Sequence, residues 1–515
     1  VLFPEKGAIF WELDVKRQVK NHIRWSGNNE ISLQEAQMRT FSNFVWMFLQ
    51  TEGDYNFSSG SRGRGNLSST ANPYFLFPQI YNFRYNIYSS EWPVANRAIE
   101  LYLQKKSENE GWERQINGLS NNEKANLLLE KHTFKELLAD VEQRNLQNNI
   151  VGLEASRLFA RSEINMGVDA FRDSLYAMLK RNTFLNIKFE NMLDTLGEMS
   201  RTDLYSYLKE WEQLTPLPFY SIGEPELTKV VNKGGEEFFV LKVLVSNNSD
   251  YDGIIQMNVL QNGWWYQPME DPRARKKVEI AAHTSKEFVS VWEEQIRDVE
   301  INTMVSGNLP YMIRQSIGNV KQERNKIVKD TIYTLPESSL EMPGEVIVDN
   351  EDSTLFVLST PAVVGLLPKW LDKVEDTSFK YSGISWWRAP LQWTATTNAK
   401  YYGKYIRSAY VIKSGDGSQT ATWKIPVPEA GQYELYYHVF KDDELRWNDR
   451  LQGEYHFRVA YDSEMEDAYI NLRKANEGWE QLGTYYFSAD TVRVVLTDEC
   501  KLRSVTADAV KIVKR

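Results

Sequence analysis

The strongest constraint on the fold lies at TPLPF, around Pro216 and Pro218, where the period of the apolar residues changes. Proline lacks an amide hydrogen and its ring clashes with the preceding helical turn, so two prolines in three residues end any helix that reaches them. Upstream, residues 120–215 carry apolar residues at three-and-four spacing. GVDAFRDSLYAMLKRN places Phe171, Leu175, Met178 and Leu179 on one helical face. In SRTDLYSYLKEWEQ, Ser200 or Thr202 is expected to cap the last helix before the prolines. Downstream, EEFFVLKVLVSNNSDYDGIIQMNVL alternates and is rich in β-branched and aromatic residues, which predicts strands.

The rest of the chain follows from that switch. Residues 1–118 read as mixed and mostly helical. ISLQEAQMRTFSNFVWMFLQ has a capping box of Ser32 and Glu35, and TEGDYNFSSGSRGRGNLSSTANP reads as a mobile Gly/Ser-rich loop. Residues 119–220 are predicted as an α-helical domain and 221–312 as a small antiparallel β-sandwich. The charged, weakly periodic stretch 313–343 reads as a linker. Residues 344–515 offer GEVIVDNE, QTATWKIPV, GQYELYYHVF, GEYHFRVAYD, LGTYYF, DTVRVVLTD and DAVKIVK as strands, which predicts a jelly-roll-like sandwich. The expected fold class is multidomain α+β, with a helical N-terminal half followed by two antiparallel β-sandwich domains.

Composition narrows the function. The 515 residues carry a net charge of −10 spread along the chain, which argues against a nucleic-acid partner. A single cysteine, Cys500, excludes an intrachain disulfide. No apolar run approaches the length of a membrane span, so no span is expected within the chain. The chain opens on VLFPEKG without a methionine and reads as a mature product or a piece of a longer chain.

The usual catalytic patterns do not appear. The histidines His22, His132, His283, His438 and His456 include no pair one helical turn apart, so no zincin motif exists. His438 and His456 fall on predicted strands and read as core-edge residues. NNSDYDG has calcium-loop spacing at Asn248, Asp250, Asp252 and Gly253, but position 259 is Val where a loop glutamate is required, and a hairpin turn is expected instead. There is no G-x-S-x-G, phosphate loop or dinucleotide fingerprint. No cofactor and no metal are expected, and the sequence gives no positive sign of catalysis.

Aromatic residues, 13% of the chain, are the remaining signal. Sugars present C–H faces that stack on indole and phenol rings, with Asp, Asn and Arg bonding the hydroxyls. GISWWRAPLQWTATTNAKYYGKY offers Trp386, Trp387, Trp393, Tyr401 and Tyr402, and FKDDELRWNDRLQGEY offers Asp443, Arg446 and Trp447. Two readings stay open: these rings line a glycan site on loops at a sandwich rim, or they plug the sandwich ends.

Four elements in the last third carry a resemblance: the opening IVDN, WKIP followed by GQY, GWEQLGTYYF and the closing ADAV. Over Glu345 to Arg515 the pattern resembles the golvesin/xanthan-lyase carbohydrate-binding-like domain of Bacteroidetes surface and secreted proteins. The resemblance implies a jelly-roll-like sandwich and glycan binding. It also implies that GWEQLGTYYF is a core strand, with Leu482, Tyr485 and Phe487 alternating against Thr484 and Tyr486. A looser pattern over roughly 120–312 resembles the C-terminal half of M1-type (gluzincin) aminopeptidases, without their H-E-x-x-H or G-A-M-E-N motifs. The resulting expectation is a non-catalytic exported or cell-envelope protein that contacts a polysaccharide or an envelope protein. The alternatives are the C-terminal part of an M1-like zinc peptidase and the accessory portion of a polysaccharide-degrading enzyme.

Overall fold

A computed structural model describes residues 16, 19–24, 31–49, 87, 89–92, 94–103, 118–140, 143, 146–182, 185–214, 216–232, 234–260, 271–318, 320–324, 328–338, 340, 344–359, 379–384, 389–441, 453–462 and 464–515. The Gly/Ser-rich stretch expected to be a mobile loop lies outside them. The chain divides into two compact units. One comprises Val1–Asn109, Ala125–Pro216 and Lys277–Glu279; the other comprises Glu110–Lys124, Leu217–Lys276 and Ile280–Arg515.

Helices in chain order are α1 (Leu33–Leu49), α2 (Ala95–Leu103), α3 (Asn121–Leu129), α4 (Phe134–Ala139), α5 (Gln147–Met166), α6 (Val168–Arg181), α7 (Phe189–Ser200) and α8 (Leu204–Lys209). In α5, Ile150, Val151, Glu154, Ala155, Leu158 and Phe159 are buried at helical spacing, and α6 buries Phe171, Leu175 and Leu179. Gly167, at φ 88, breaks the path between them, a conformation glycine adopts without a Cβ penalty. Tyr102 of α2 packs between Phe159 and Phe171, with centroid distances of 4.8 and 6.0 Å. Neither Ser200 nor Thr202 caps α8. Asp203 does so, accepting from the Ser206 amide at 3.0 Å, because Arg201 first takes a left-handed turn that ends α7. Ser32 accepts from the Glu35 amide at 3.1 Å as expected, while the Glu35 side chain turns to Arg39 at 2.7 Å.

The second unit holds the strands, apart from Lys277–Glu279 of one of them. The first ten are β1 (Tyr220–Ile222), β2 (Glu226–Val231), β3 (Glu237–Asn247), β4 (Gly253–Leu260), β5 (Arg275–Ile280), β6 (Thr284–Trp292), β7 (Asp298–Asn302), β8 (Met312–Ser316), β9 (Val320–Arg324) and β10 (Thr331–Pro336). They form a six-stranded sheet, β10-β6-β3-β2-β9 with β1 on β3, and a four-stranded sheet, β5-β4-β7-β8. The stretch 313–343, expected as a linker, therefore supplies strands to both sheets, and β9 joins β2 in parallel rather than antiparallel pairing. Its charged side chains had masked short edge strands, whose solvent side tolerates charge. The NNSDYDG turn is also corrected. It carries the chain from β3 in one sheet to β4 in the other, so it is an arch rather than a hairpin.

The last twelve strands are β11 (Glu345–Val348), β12 (Phe356–Leu358), β13 (Thr394–Thr397), β14 (Ser408–Lys413), β15 (Thr420–Pro426), β16 (Gly431–Val439), β17 (Glu454–Tyr461), β18 (Glu464–Asn471), β19 (Gly478–Phe487), β20 (Thr491–Thr497), β21 (Ser504–Ala507) and β22 (Val510–Lys514). Sheets β11-β22-β16-β19 and β12-β15-β20-β17-β18 share one core, beside a three-stranded sheet β13-β14-β21. Trp423, Tyr433, Tyr437, Phe457 and Phe487 are fully buried there. WKIP and GQY supply core residues, as period-2 alternation requires.

Candidate functional site

The site grows from the alternation of β16. Tyr433, Leu435, Tyr437 and Val439 point into the core, which leaves Glu434, Tyr436 and His438 on the outer face. On β22, Val510 and Ile512 face the core, while Lys511 lies across from Tyr436 on the outer face.

Trp479 joins that face through a register shift. Phe487, Tyr485 and Gly483 pair with Gly431, Tyr433 and Leu435, but the next pair is Gln481 with Tyr436, so Leu482 is the extra residue of a bulge. Without the bulge, strict alternation would put Trp479 on the core side with Tyr485 and Phe487. With it, Trp479 pairs with His438 on the outside. Tyr485 and Phe487 are core residues and Leu482 packs against the core, as expected of GWEQLGTYYF, whereas Trp479 at its start leaves that side. A glycine inside a strand, Gly483, was the available signal.

The connection from Asn398 to Arg407 lays Tyr402 onto the same face. Its ring lies 5.0 Å from Trp479 and 5.8 Å from His438, and His438 lies 5.1 Å from Trp479. The Lys511 ammonium sits 4.8 Å from the Trp479 ring and 5.4 Å from that of Tyr436, with its charge met by Glu345 at 2.8 Å. Gly403 allows the turn. At φ 151 a Cβ would come within 1.9 Å of the Ile406 carbonyl oxygen. The far end of this connection is tied to the preceding sandwich. Leu309 donates to the Tyr405 carbonyl at 3.0 Å, Arg407 donates to the Leu309 carbonyl at 2.6 Å, and Phe219 packs on Tyr405 at 5.4 Å.

Asp508, from ADAV, anchors the face from beneath. Fully buried, its carboxylate accepts from the Tyr402 amide at 3.2 Å and meets His438 Nδ1 at 2.8 Å, while its carbonyl accepts from Trp423 Nε1 at 3.2 Å. Burial pushes the Asp508 carboxyl up, opposed by His438 and Arg407. Arg407, enclosed in the same region, is pushed down to about 10 by burial. Asp349, from IVDN, is raised by burial, by Asp508 and by Glu351. Glu351 in turn accepts from Lys380 at 2.5 Å and Tyr381 at 3.0 Å. The two ends of the C-terminal sequence pattern thus meet in one buried acidic network.

The sequence-expected site residues divide three ways. Tyr402 is on the face. Tyr401 is buried with its ring 4.6 Å from Phe440, and Trp393 packs against the core. Trp386, Trp387, Asp443, Arg446 and Trp447 lie outside the described residues. His438 and His456 stand in different sheets with different carboxylate partners, Asp508 for one and Asp467 and Glu499 for the other. Among the described residues no cluster of three or more His, Cys, Asp or Glu could hold a metal ion. The rings and donors of this face can hold a polar ligand with a hydrophobic flank.

Asp508 and the strands it ties together fall in one recognisable block. Residues 387–514 match the Golvesin C-terminal domain. The golvesin-type match starts after β11 and β12, although both strands complete its sheets. Three solved structures show faint likeness. A Podospora anserina GH26-CBM35 β-(1,4)-mannanase is 11% identical over 34% of this chain and 28% of its own, with a TM-score of 0.18. The CBM35 from Cellvibrio japonicus Abf62 is 12% identical over 22% of this chain and 75% of its own, with a TM-score of 0.16. A Bacteroides uniformis β-glucuronidase is 11% identical over 61% of this chain and 32% of its own, with a TM-score of 0.17. Scores of this size carry no argument about function, and the chain spans less than a third of the mannanase and of the glucuronidase. No curated protein matches the chain. No helix among the described residues is long and apolar enough to cross a membrane.

Proposed function

We propose that the golvesin-type sandwich is a saccharide-binding module of a non-catalytic exported or cell-envelope protein from a Bacteroidetes-type bacterium, carried on the helical unit and the first sandwich. The observation that supports it best is the outer face where Tyr402, Trp479, His438 and Lys511 converge. Partly exposed aromatic rings set beside fixed donors suit the mixed apolar and polar surface of a sugar. Trp386, Trp387, Asp443, Arg446 and Trp447 are proposed to extend the site from neighbouring loops. The alternatives, an M1-like peptidase half and an accessory portion of a polysaccharide-degrading enzyme, both require turnover elsewhere in a longer protein.

The test is affinity gel electrophoresis of the full chain through bacterial, plant and host polysaccharides. One or more should retard it, and Trp479→Ala should weaken retention by at least about fivefold, the roughly 1 kcal/mol that separates an energetically important contact residue from its neutral neighbours. The melting temperature should hardly move, because Trp479 faces outward. Retardation by none of the panel overturns the reading. So does a Trp479→Ala variant that is well folded and fully retained.

A further inference from the structure

The opposite sheet of the same sandwich carries a feature the first face does not use. Along β15, β20 and β17 the core side holds Trp423, Ile425, Val492, Val494, Phe457 and Val459, so alternation turns Lys424, Arg493 and Arg458 outward. Lys424 and Arg493 are direct cross-strand partners. Arg458 pairs with Val495, two residues along β20 from Arg493, and so is its diagonal neighbour. Side chains directly opposite lie about 5 Å apart at Cβ and diagonal ones about 7–8 Å. Like charges at these spacings destabilise a sheet.

None of the three cations has an ion-pair partner among the described residues. The acids on the same face bond other groups, each keeping its charge. Asp467 is opposite Arg458 yet bonds His456 Nε2 at 2.8 Å, and Glu499 meets His456 Nδ1 at 3.2 Å. Glu454 accepts from Asn471 at 3.1 Å. In a chain of net charge −10, three neighbouring cations without an ion pair, two of them on strands away from Asp467, give that part of the face complementarity to an external anion. Tyr469, 58% exposed and stacked on His456 at 4.9 Å, adds an open aromatic ring to the same face.

We propose that the outer face of β12-β15-β20-β17-β18 docks an acidic polysaccharide. Lys424, Arg493 and Arg458 would bind its carboxylate or sulfate groups while Tyr469 stacks on a sugar ring. That the polyanion is a glycan rests on the saccharide-binding reading of this module. The cationic surface itself is independent of Trp479.

The experiment is affinity electrophoresis of the full chain in polygalacturonate, chondroitin sulfate and neutral dextran, at low and high salt. Both acidic polymers, or the one whose anion fits, should retard the chain, and added salt should release it. Lys424→Gln and Arg493→Gln should each weaken retention about fivefold. Arg493→Gln should melt at the same temperature as the parent or above it, because it relieves like-charge contact. Trp479→Ala should leave acidic retention intact, so failure of the neutral-sugar face and failure of this one are distinguishable. The proposal is overturned if neither acidic polymer retards the chain, or if folded Lys424→Gln and Arg493→Gln variants are retained like the parent. Equally tight retention by a DNA oligonucleotide would overturn the glycan as occupant.

Discussion

Asp349→Asn tests the buried acidic network. Asp349 follows Val348, whose partner is Val510, so it is held where IVDN meets ADAV. Its Oδ1 accepts from the Asn350 amide at 2.7 Å, and Asn350, with its side-chain nitrogen turned toward it, adds a second donor at 2.8 Å. An asparagine oxygen can keep both bonds, so the substitution removes charge while retaining the acceptor. The charge is unfavourable for three reasons: burial, the Asp508 carboxylate and Glu351. Part of the residue's surface stays accessible although its carboxylate is enclosed, so the gain belongs in the lower half of the about 1–3 kcal/mol attached to burying a polar group badly. About 1–2 kcal/mol, at a urea dependence of about 2 kcal/mol per M, shifts the midpoint by roughly 0.5–1 M.

The pH dependence carries the sign. A carboxyl whose folded pKa lies above its unfolded value binds more protons in the native state between those values. Stability therefore falls as pH rises through that window, from about 4 upward. Asp349→Asn deletes that decline. Urea unfolding of the full chain, followed by tryptophan fluorescence at pH 5 and pH 8, should show the larger gain at pH 8 and a narrowing gap toward pH 5. A variant that is destabilised, or one whose gap is the same at both pH values, would refute the reasoning and mean that a compensated Asp349 carboxylate stabilises the fold.

Gly403→Ala should cost about 1–3 kcal/mol, because φ 151 is strained for alanine and its Cβ would lie 1.9 Å from the Ile406 oxygen. Displacing Tyr402 should also change Trp479 fluorescence, and an unaltered spectrum with unaltered stability would show that the connection has another path. His283 sits between Asp250 at 2.8 Å and Glu337 at 2.7 Å, which raises its pKa, first through the Asp250 hydrogen bond. Its stabilising contribution should be complete below about 6.5 and lost as pH rises through the raised folded value. NMR titration of the ring should place the midpoint above 6.5, and a midpoint at or below it would show that the two carboxylates do not hold the proton.

Much of the architecture was legible because it follows one-dimensional periods. The three-and-four spacing of Phe171, Leu175 and Leu179 and the alternation of Tyr433, Leu435 and Tyr437 each describe a residue by its neighbours on one element. The failures sit where a single residue resets the period or where pairing is non-local. Leu482 adds one residue to β19 and turns Trp479 from the core to the outer face. Arg201 adds a left-handed step and moves the α8 cap from Ser200 or Thr202 to Asp203. Strands β8 to β10 lack a strong apolar pattern because their place depends on partners far away in sequence, such as β2 and β6. Tyr401 and Tyr402 are adjacent and identical in type, yet one packs on Phe440 and the other reaches Trp479. Composition cannot separate them; the turn at Gly403 does.

The aromatic face also has a boundary that sequence similarity draws too narrowly. Its sheet needs β11, whose Glu345 neutralises Lys511, and its covering connection is held by Leu309 of the preceding sandwich. Both lie outside the matched residues 387–514. A fragment limited to that span would leave Lys511 uncompensated and free the Tyr405 carbonyl from its donor. Ordering the ten-residue connection would then fall to contacts inside the span, such as Asp508 on the Tyr402 amide, Lys400 on Glu477 and Tyr401 on Phe440, against a backbone entropy cost of about 1–2 kcal/mol per residue. The preceding sandwich is thus part of the site's positioning, which is why the binding experiments call for the full chain. Retention by the full chain that disappears in the fragment, while the fragment stays folded, would locate that positioning in the residues before 387, at Glu345 and the Leu309 contact. Equal retention by both would mean that the Asp508 anchor suffices.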